Sequence, residues 1–371
     1  MEFDKKYLNI ALFHLEKIIG SSYPNPPVFS ILVESDKSFS DNKIVSFGFT
    51  SAGGRPHAEA NAIESFLFKK NKIYSLYSTL EPCCHEGRDE SCVSKILKSK
   101  KISRIIFSVK DPDKRVNGKG KKILEKNKLE VVSGILKKKS EKLYHGYFLN
   151  RKKNRPNIIL KLAMTLDNYI TLEKNKRTKI TNSISDTYSD ILRSEVDAIL
   201  VGSNTVNIDN CVLKCKMTGL IDSSPIRIVL SRKLNLKLDS KIFTDCKKFK
   251  TIIITNNLNR KVISKFEKKF VEIIYFSREN YNLKNILEKL SSLGITNLLV
   301  EGGGKIFNSF FKENLFDYIY IFRSSFFSQI KQNDFQGAKI NFFNSKLKKS
   351  YVREFGDDSL EIYKIKNYES F

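Results

Sequence analysis

Short apolar runs typical of strands alternate with helical patterns along this chain, in two successive series. The strand-type runs of the first series lie at residues 28–33, 44–49, 73–77 and 104–109, with helical patterns near residues 57–69, 91–99 and 118–127. Those of the second lie at residues 158–164, 198–201, 226–230, 251–255, 271–275 and 298–300, with helical patterns near residues 183–194, 283–293 and 304–313. Strand-type segments at residues 316–322 and 359–365 follow. The alternation predicts an α/β fold, with helices packed on a sheet, in both series.

A polar segment at residues 150–156, NRKKNRP, separates the two series. It carries four positive charges and ends in a proline, which disfavours helix at the residue before it. A chain of 371 residues is also long enough for two cores of normal domain size. We therefore predict two domains, residues 1–150 and 151–371. The lysine-rich and asparagine-rich stretch at residues 328–350 is predicted to be a loop.

Composition restricts the class of protein. The chain contains no run of eighteen apolar residues, and its first twenty residues form an amphipathic helical pattern, unlike a signal peptide or a membrane span. Six cysteines are too few for a disulfide scaffold, and Cys83, Cys84 and Cys92 fall within ten residues, which favours a metal or catalytic site. We therefore expect a cytoplasmic protein with no membrane partner.

The net charge of +26 comes from lysines that are spread along the whole chain. A nucleic-acid surface normally concentrates its basic residues on one face or stripe. We therefore interpret the charge as a solvated lysine surface and expect no nucleic-acid partner. A phosphorylated small substrate is compatible with the same charge.

The sequence contains the pattern of a zinc site. His57-Ala58-Glu59 begins a helical pattern, and Cys83 follows a strand-type run and Pro82. A histidine, a glutamate two residues later and a subsequent Pro-Cys form the signature of zinc deaminases. Three protein ligands leave one position on zinc for water, whose pKa falls from 15.7 in bulk water to about 7. Hydroxide is then available at neutral pH to attack a ring carbon that bears an amino group.

The third ligand and the proton carrier follow from the same pattern. Nucleic-acid deaminases usually have P-C-x-x-C, but here the next cysteine after Cys84 is Cys92. Adjacent cysteines rarely bind one tetrahedral zinc, so we predict Cys92 as the third ligand and not Cys84. Glu59 is expected to carry the proton from the water to the ring nitrogen and to the departing ammonia.

These motifs together resemble those of the bifunctional deaminase/reductase family of riboflavin biosynthesis. Residues 82–88 with Cys92 resemble P-C-x-H-x-G-[RK]-T-P-P-C, and residues 23–26 and 111–112 resemble other deaminase motifs of the family. Residues 160–167, 201–210 and 300–304 resemble its reductase motifs, so that nearly the whole chain is covered. The resemblance implies a cytidine-deaminase-like three-layer α/β/α N-terminal domain fused to a dihydrofolate-reductase-like α/β C-terminal domain.

The resemblance also implies two consecutive reactions. The first domain would remove the 2-amino group of 2,5-diamino-6-(5-phosphoribosylamino)pyrimidin-4-one. The second would use NADPH to reduce the ribosyl group of 5-amino-6-(5-phosphoribosylamino)uracil to ribityl. The implied cofactors are one Zn²⁺ per chain and NADPH, the implied partners are phosphoribosylated pyrimidines, and we expect a homo-oligomer.

Site residues are carried over position by position. In the deaminase, the resemblance assigns substrate binding to Asn25, His85, Arg88 and Asp111. In the reductase, it assigns cofactor binding to Ala163, Lys179, Thr205, Asp209, Gly303, Gly304, Lys305 and Ile306. It assigns reductase substrate binding to Arg177, Arg193, Leu213, Lys216 and Glu301. A glycine run between a strand and a helix also presents backbone N–H groups that suit a phosphate.

Several residues differ from the family motifs. They are Phe29 and Asn168 at glycine positions, residues 89–91 in place of T-P-P, Asp113 at an asparagine, Lys179 at a tryptophan, Cys211 at a proline and Lys216 at an arginine. Lysine cannot form the bidentate fork of arginine with a phosphate. A chain active only as a deaminase, with a structural second domain, is therefore one alternative. A tRNA deaminase is the other, although it would lack the second α/β domain.

Overall fold

The computed structural model describes residues 2–36, 42–87, 89–173, 176, 178–328, 338–340 and 347–365. The chain forms two compact units that divide between Arg155 and Pro156. The boundary that we predicted at residue 150 falls inside a helix, because the last helix of the first unit continues to Lys153. Within the described ranges, no helix is long and apolar enough to cross a membrane.

The first unit contains five strands and six helices in its described part. The strands are β1 (Phe29–Ser35), β2 (Asn42–Phe49), β3 (Ile73–Ser78), β4 (Ile102–Phe107) and β5 (Glu130–Ser133). The helices are α1 (Glu2–Lys17), α2 (Ala58–Glu64), α3 (Cys92–Ser99), α4 (Lys119–Lys126), α5 (Lys137–Leu143) and α6 (His145–Lys153). The sheet has the order β2-β1-β3-β4-β5, in which β1 is antiparallel to both neighbours and β3, β4 and β5 are parallel.

Helices cover both faces of this sheet. Alternate residues of β1 belong to different cores: Phe29 and Ile31 pack with α1, whereas Leu32 packs with α2 and α3. The contact between β2 and α2 is so close that a Cβ atom on Gly48 would lie 2.3 Å from the Ala58 carbonyl oxygen. The predicted three-layer α/β/α architecture is therefore confirmed.

The second unit is built on a nine-stranded sheet of order β11-β10-β9-β8-β12-β6-β13-β16-β15. Its strands are β6 (Asn157–Met164), β8 (Ala198–Gly202), β9 (Ile226–Leu230), β10 (Thr251–Thr255), β11 (Val271–Tyr275), β12 (Asn297–Val300), β13 (Tyr318–Arg323), β15 (Leu347–Phe355) and β16 (Asp358–Ile365). A separate pair is formed by β7 (Tyr169–Thr171) and β14 (Ala338–Lys339). The helices are α7 (Ser183–Ser194), α8 (Ser203–Asp209), α9 (Arg260–Glu267), α10 (Leu283–Ser292) and α11 (Gly304–Lys312).

Parallel pairing places three strand ends together. Strand β12 lies between β8 and β6 and is parallel to both. The carboxyl ends of the three strands, near Gly202, Val300 and Met164, therefore meet at one edge of the sheet. Ligands of open α/β sheets bind at such an edge.

Elements that the sequence pattern missed are short, charged or exposed. The stretch at 328–350, predicted as loop, contains β14 and the start of β15; residues 329–337 and 341–346 lie outside the described residues. Strand β15 is exposed along seven consecutive residues at the sheet edge, so its sequence lacks the apolar alternation of a half-buried strand. The helices α5, α8 and α9 were also missed, and each is only seven or eight residues long.

Candidate active sites

Three possible metal ligands converge in the first unit. One ligand atom each of His57, Cys83 and Cys92 lies within 4.8 Å of the others. The Nδ1 atom of His57 is 3.4 Å from Cys83 Sγ and 3.3 Å from Cys92 Sγ. One nitrogen and two sulfurs at this spacing suit a tetrahedral zinc ion that keeps an open position.

Helix starts and one buried carboxylate position these ligands. His57 is the N-cap of α2, and Cys92 is the first residue of α3, whose N-cap Ser91 accepts a hydrogen bond from Ser94 N. The loop that carries Cys83 follows Glu81, whose carboxylate accepts hydrogen bonds from the backbone amides of three residues: Asp111, Gly118 and Lys121.

The thiols of Cys83 and Cys92 shift each other's pKa in opposite directions. Cys92 donates a hydrogen bond to Cys83, which lowers the pKa of Cys83; the His57 ring and the Cys92 backbone amide act in the same direction. The same hydrogen bond raises the pKa of Cys92, as does its burial. Zinc is bound by thiolates, so a bound zinc ion would displace the proton of the hydrogen bond between Cys92 and Cys83.

Glu59 lies beside the ligands, in the first turn of α2. Its Oε2 atom is 3.3 Å from Cys92 Sγ, and its Oε1 atom accepts a hydrogen bond of 3.2 Å from Ser78 Oγ. The side chain is only 3% exposed, and this burial raises the pKa of its carboxyl group. A buried carboxyl with a raised pKa takes up a proton more readily than a free one, which suits a group that accepts the proton of a water.

Asn25 lies on the other side of the ligand histidine. Its Nδ2 atom is 3.3 Å from His57 Nε2 and donates a hydrogen bond of 2.8 Å to the Gly54 carbonyl oxygen. Gly54 has a φ of +85°, and a Cβ atom there would lie 2.9 Å from the Asn25 side chain. The turn at residue 54 therefore needs glycine to admit Asn25 beside the metal site.

The other predicted deaminase residues have different surroundings. Cys84 Sγ contacts the Arg115 carbonyl oxygen at 3.6 Å and does not belong to the ligand cluster. The Nδ1 atom of His85 is buried, with no hydrogen-bond partner among the described residues. Arg88 lies outside the described residues.

Asp111 belongs to the framework of the loop after β4. It is 6% exposed, and its Oδ1 atom accepts hydrogen bonds of 2.8 Å from Tyr147 OH and from the Asp113 amide. Burial raises the pKa of Asp111 to about 7. The structure thus gives Asp111 internal partners and does not place it among the ligand atoms.

We expect Asp111→Asn to change how stability depends on pH. Protonated Asp111 contributes fully to the free energy of unfolding of the wild type below about pH 3.8, its pKa in the unfolded chain. This contribution is lost as the pH rises toward about 7, its pKa in the folded protein. Relative to the asparagine variant, the free energy of unfolding of the wild type should fall by about 1.4 kcal/mol per pH unit across that window. Urea unfolding of the zinc-saturated protein at pH 5, 6 and 7 measures this.

Asp113→Asn is the matched control for this titration. A hydrogen bond from Arg115 lowers the pKa of Asp113 to about 2, so its contribution is constant above pH 4. The Asp113 charge helps to raise the pKa of Asp111, so the Asp113→Asn variant should differ from the wild type by nearly the same amount at pH 5 and 6, where folded Asp111 keeps its proton in both proteins. A constant difference for Asp111→Asn as well would contradict the prediction.

The second unit contains a cavity of about 930 Å³ at the sheet edge where β8, β12 and β6 end. It is lined by every predicted cofactor residue: Ala163, Lys179, Thr205, Asp209, Gly303, Gly304, Lys305 and Ile306. It is also lined by the predicted substrate residues Arg193, Leu213, Lys216 and Glu301. Arg177 lies outside the described residues. The residues carried over from separate motifs therefore meet in one cavity.

A paired charge cluster forms part of the cavity wall. Arg193 donates hydrogen bonds of 3.1 and 2.9 Å to the two carboxylate oxygens of Glu301 and one of 2.7 Å to Asp190. The second oxygen of Asp190 accepts a bond of 3.1 Å from the Lys216 backbone amide. The guanidinium of Arg193 is therefore engaged by two carboxylates, while the side chain of Lys216 is exposed at the cavity.

Lys161 was missed by the sequence analysis, although it lies within a quoted motif. It projects from β6 into the cavity, with Nζ 5.0 Å from the centroid of the Phe322 ring. Burial lowers the pKa of Lys161. Burial alone would raise the pKa of Glu301, but the Arg193 guanidinium and the Lys161 ammonium hold it below its usual range. The sequence signal that could have identified Lys161 is its position as a lysine in the largely apolar strand β6.

A glycine turn leads from β12 into α11. Gly302 has a φ of +121°, and a Cβ atom there would lie 2.7 Å from Thr205 Oγ1. Any side chain would therefore disrupt the contact of this turn with α8. The turn presents the N-terminus of α11, with Gly303 as its N-cap, to the cavity. Free backbone N–H groups at such a position favour a phosphate.

Comparisons with known proteins agree with both sites. Residues 1–109 match the cytidine and deoxycytidylate deaminase zinc-binding region, and residues 156–328 match the RibD C-terminal domain. The riboflavin biosynthesis protein RibD of Aquifex aeolicus is 36% identical over 321 residues, which cover 86% of each chain.

The chain belongs to the RibD family. The solved deaminase/reductase of Thermotoga maritima is 25% identical and has a TM-score of 0.80, with 98% of this chain and 99% of that chain covered. Acinetobacter baumannii RibD, at 23% identity and a TM-score of 0.82 over 98% of each chain, shows the same fold. The chain is thus a zinc-dependent deaminase and an NADPH-dependent pyrimidine reductase of riboflavin biosynthesis. The comparisons favour neither a tRNA deaminase nor a deaminase with an inactive second domain.

Three departures from the RibD motifs have structural explanations. Asn168, at a glycine position, has a φ of +71°, which asparagine tolerates, and its Oδ1 accepts a hydrogen bond from Arg323. Phe29, at another glycine position, is stacked between His14 and Phe47 on the α1 side of the sheet, opposite α2. Asp113, at an asparagine position, forms an ion pair with Arg115.

Proposed function

We propose that the first unit of this RibD-family chain removes the 2-amino group of 2,5-diamino-6-(5-phosphoribosylamino)pyrimidin-4-one. The observation that carries this proposal is Glu59, buried and 3.3 Å from one sulfur of a His-Cys-Cys ligand set. The name of the Thermotoga relative supports the substrate. Asn25, beside His57, would form a hydrogen bond with the pyrimidine.

The residues of the first unit have separate tasks. His57, Cys83 and Cys92 would hold Zn²⁺, which supplies a Lewis acid and a water of lowered pKa. Glu59 would take one proton from the attacking water and deliver it to the ring nitrogen. It would then carry the second proton of the added hydroxyl group to the leaving amino group, which departs as ammonia. Its raised pKa favours uptake of the proton from the water.

The second unit is proposed to reduce the deaminated product. NADPH would lie with a phosphate at the N-terminus of α11 and would supply a hydride. Reduction opens the ribose ring: its first carbon gains the hydride, and the ring oxygen gains a proton. Arg193 holds Glu301 at the cavity wall, while Lys161 and Lys216 bring positive charge to a phosphorylated substrate.

A coupled assay tests both halves. Purified zinc-loaded protein is incubated with the diaminopyrimidine, with and without NADPH, and ammonia, NADPH absorbance and pyrimidine products are followed. We expect ammonia in both samples and NADPH oxidation only after deamination has begun. Ammonia without NADPH oxidation would refute the reductase assignment, and no ammonia would refute the deaminase assignment.

Lys216→Glu should weaken the reductase step by about tenfold to a hundredfold, mostly through a higher KM. The change replaces attraction for the substrate phosphate by repulsion, but the exposure of this side chain limits the effect through solvent screening. Steady-state kinetics with 5-amino-6-(5-phosphoribosylamino)uracil measure it. Lys289→Glu, an equal charge change at an exposed position on α10, is the control. An unchanged KM in Lys216→Glu would remove this residue from substrate binding.

The remaining partners and the location stay predictions. We propose a cytoplasmic enzyme, supported by a zinc site that needs reduced cysteines. We also propose that it acts as a homo-oligomer and binds no nucleic acid. Light scattering on the purified protein, with and without added RNA, tests the last two statements.

A further inference from the structure

Two serines connect the deaminase carboxylate to the middle of the sheet. Ser78, the last residue of β3, donates a hydrogen bond of 3.2 Å to Glu59 Oε1. Ser30, its direct partner across the β1–β3 pair, donates one of 3.1 Å to Ser78 Oγ. Both serines are fully buried. The hydroxyl groups therefore form one directed chain that ends on the carboxylate.

The two oxygens of Glu59 have unequal surroundings. Oε1 faces the sheet and accepts from Ser78, whereas Oε2 faces the ligand set through Cys92 Sγ. The backbone amide of Glu59 itself also bonds the carboxylate. The bond from Ser78 holds Oε1 from the side of the sheet and therefore restrains the rotation of the carboxylate.

We propose that Ser78 is a positioning residue for deamination, which acts by holding Glu59 so that Oε2 is directed at the reacting water. Ser30 supports Ser78 by fixing the orientation of its hydroxyl. This inference rests on the proposed deaminase function, because it assigns the proton-carrying oxygen of Glu59. A carboxylate free to rotate would spend less time in the geometry that proton transfer requires.

Ser78→Ala should lower kcat for deamination by roughly tenfold to a hundredfold, the range expected for a lost hydrogen bond to a charged group. KM should stay near the wild-type value, since Ser78 is not expected to contact the substrate, and zinc content should stay at one per chain. Ser30→Ala should give the same pattern with a smaller loss. Retained zinc shows that the first unit has folded, and the reductase step, in the other unit, measures the amount of active chain.

Two further variants separate positioning from packing. Ser78→Thr keeps the hydroxyl and should restore kcat to within about threefold of the wild type. Ser75→Ala removes a buried hydroxyl from the same strand, away from Glu59, and should leave kcat unchanged. This control shows whether any serine truncation in β3 slows the reaction.

Each outcome is decisive. A kcat for Ser78→Ala within twofold of the wild type, zinc loss in that variant, or an equal loss in Ser75→Ala would overturn the proposal. If Ser78→Ala does not fold, the other two variants decide. A near-normal kcat in Ser78→Thr with a measurably lower kcat in Ser30→Ala supports positioning, and a wild-type kcat in Ser30→Ala would overturn it. Absence of deamination by the wild type would instead refute the proposed function itself.

Discussion

Glu59→Gln is expected to lower the rate of deamination by roughly a thousandfold, within the range typical for loss of a general acid and base. Glutamine keeps the size of the side chain and an oxygen that can accept the hydrogen bond from Ser78. It cannot take a proton from water, so the path from the water to the ring nitrogen is lost. Ammonia release with the diaminopyrimidine as substrate measures the effect.

Zinc content and the reductase step provide the controls for this variant. His57, Cys83 and Cys92 form the ligand set without Glu59, so one zinc per chain should remain. Reduction of deaminated substrate should continue at the wild-type rate, because it takes place in the second unit. Deamination within tenfold of the wild type would show that Glu59 is not the proton carrier.

Cys92→Ala should abolish zinc binding and, with it, deamination. The substitution removes one of the two sulfurs at the site and leaves two protein ligands, fewer than the three that catalytic zinc sites use. The buried position of Cys92 also prevents water from replacing the lost ligand freely. Metal analysis after dialysis against a weak chelator measures the loss, and ammonia release measures its consequence.

Cys84→Ala is the matched control in the same loop. The Cys84 thiol contacts a backbone carbonyl and is separate from the ligand set. This variant should retain one zinc per chain and deaminate at close to the wild-type rate. Zinc retention in Cys92→Ala, or zinc loss in Cys84→Ala, would show that the third ligand was assigned wrongly.

Much of the deaminase site could be predicted from the sequence because its chemistry depends on local spacing. His57 and Glu59 lie two residues apart at one helix start, and Cys83 follows directly on Pro82. The reductase residues were carried over from the family motifs that the chain resembles, some of which lie at the ends of strands. Parallel strands bring such ends to one edge of a sheet, so motifs distant in sequence line one cavity.

Strand β15 and helix α5 show where pattern analysis is insufficient. Apolar periodicity reports a face that packs on a core, and these elements present little apolar surface at regular spacing. Their structure is set by pairing with β16 and by packing in the folded unit. The predicted domain boundary fell inside α6 because the last turn of this helix is charged and polar and therefore resembles a linker in sequence.

The sequence by itself determined the two α/β units and predicted the zinc ligand set and the carboxylate beside it. Its resemblance to family motifs predicted twelve of the residues that line the reductase cavity. Only the tertiary structure decided which partner each buried group has. It placed Ser78 against Glu59, turned Arg193 toward Glu301 and Asp190, brought Lys161 into the cavity and enclosed Asp111. Residue spacing along one element fixes which side chains share a face. Hydrogen bonds between elements, and the burial that shifts a pKa, exist only once the sheet and helices have packed together.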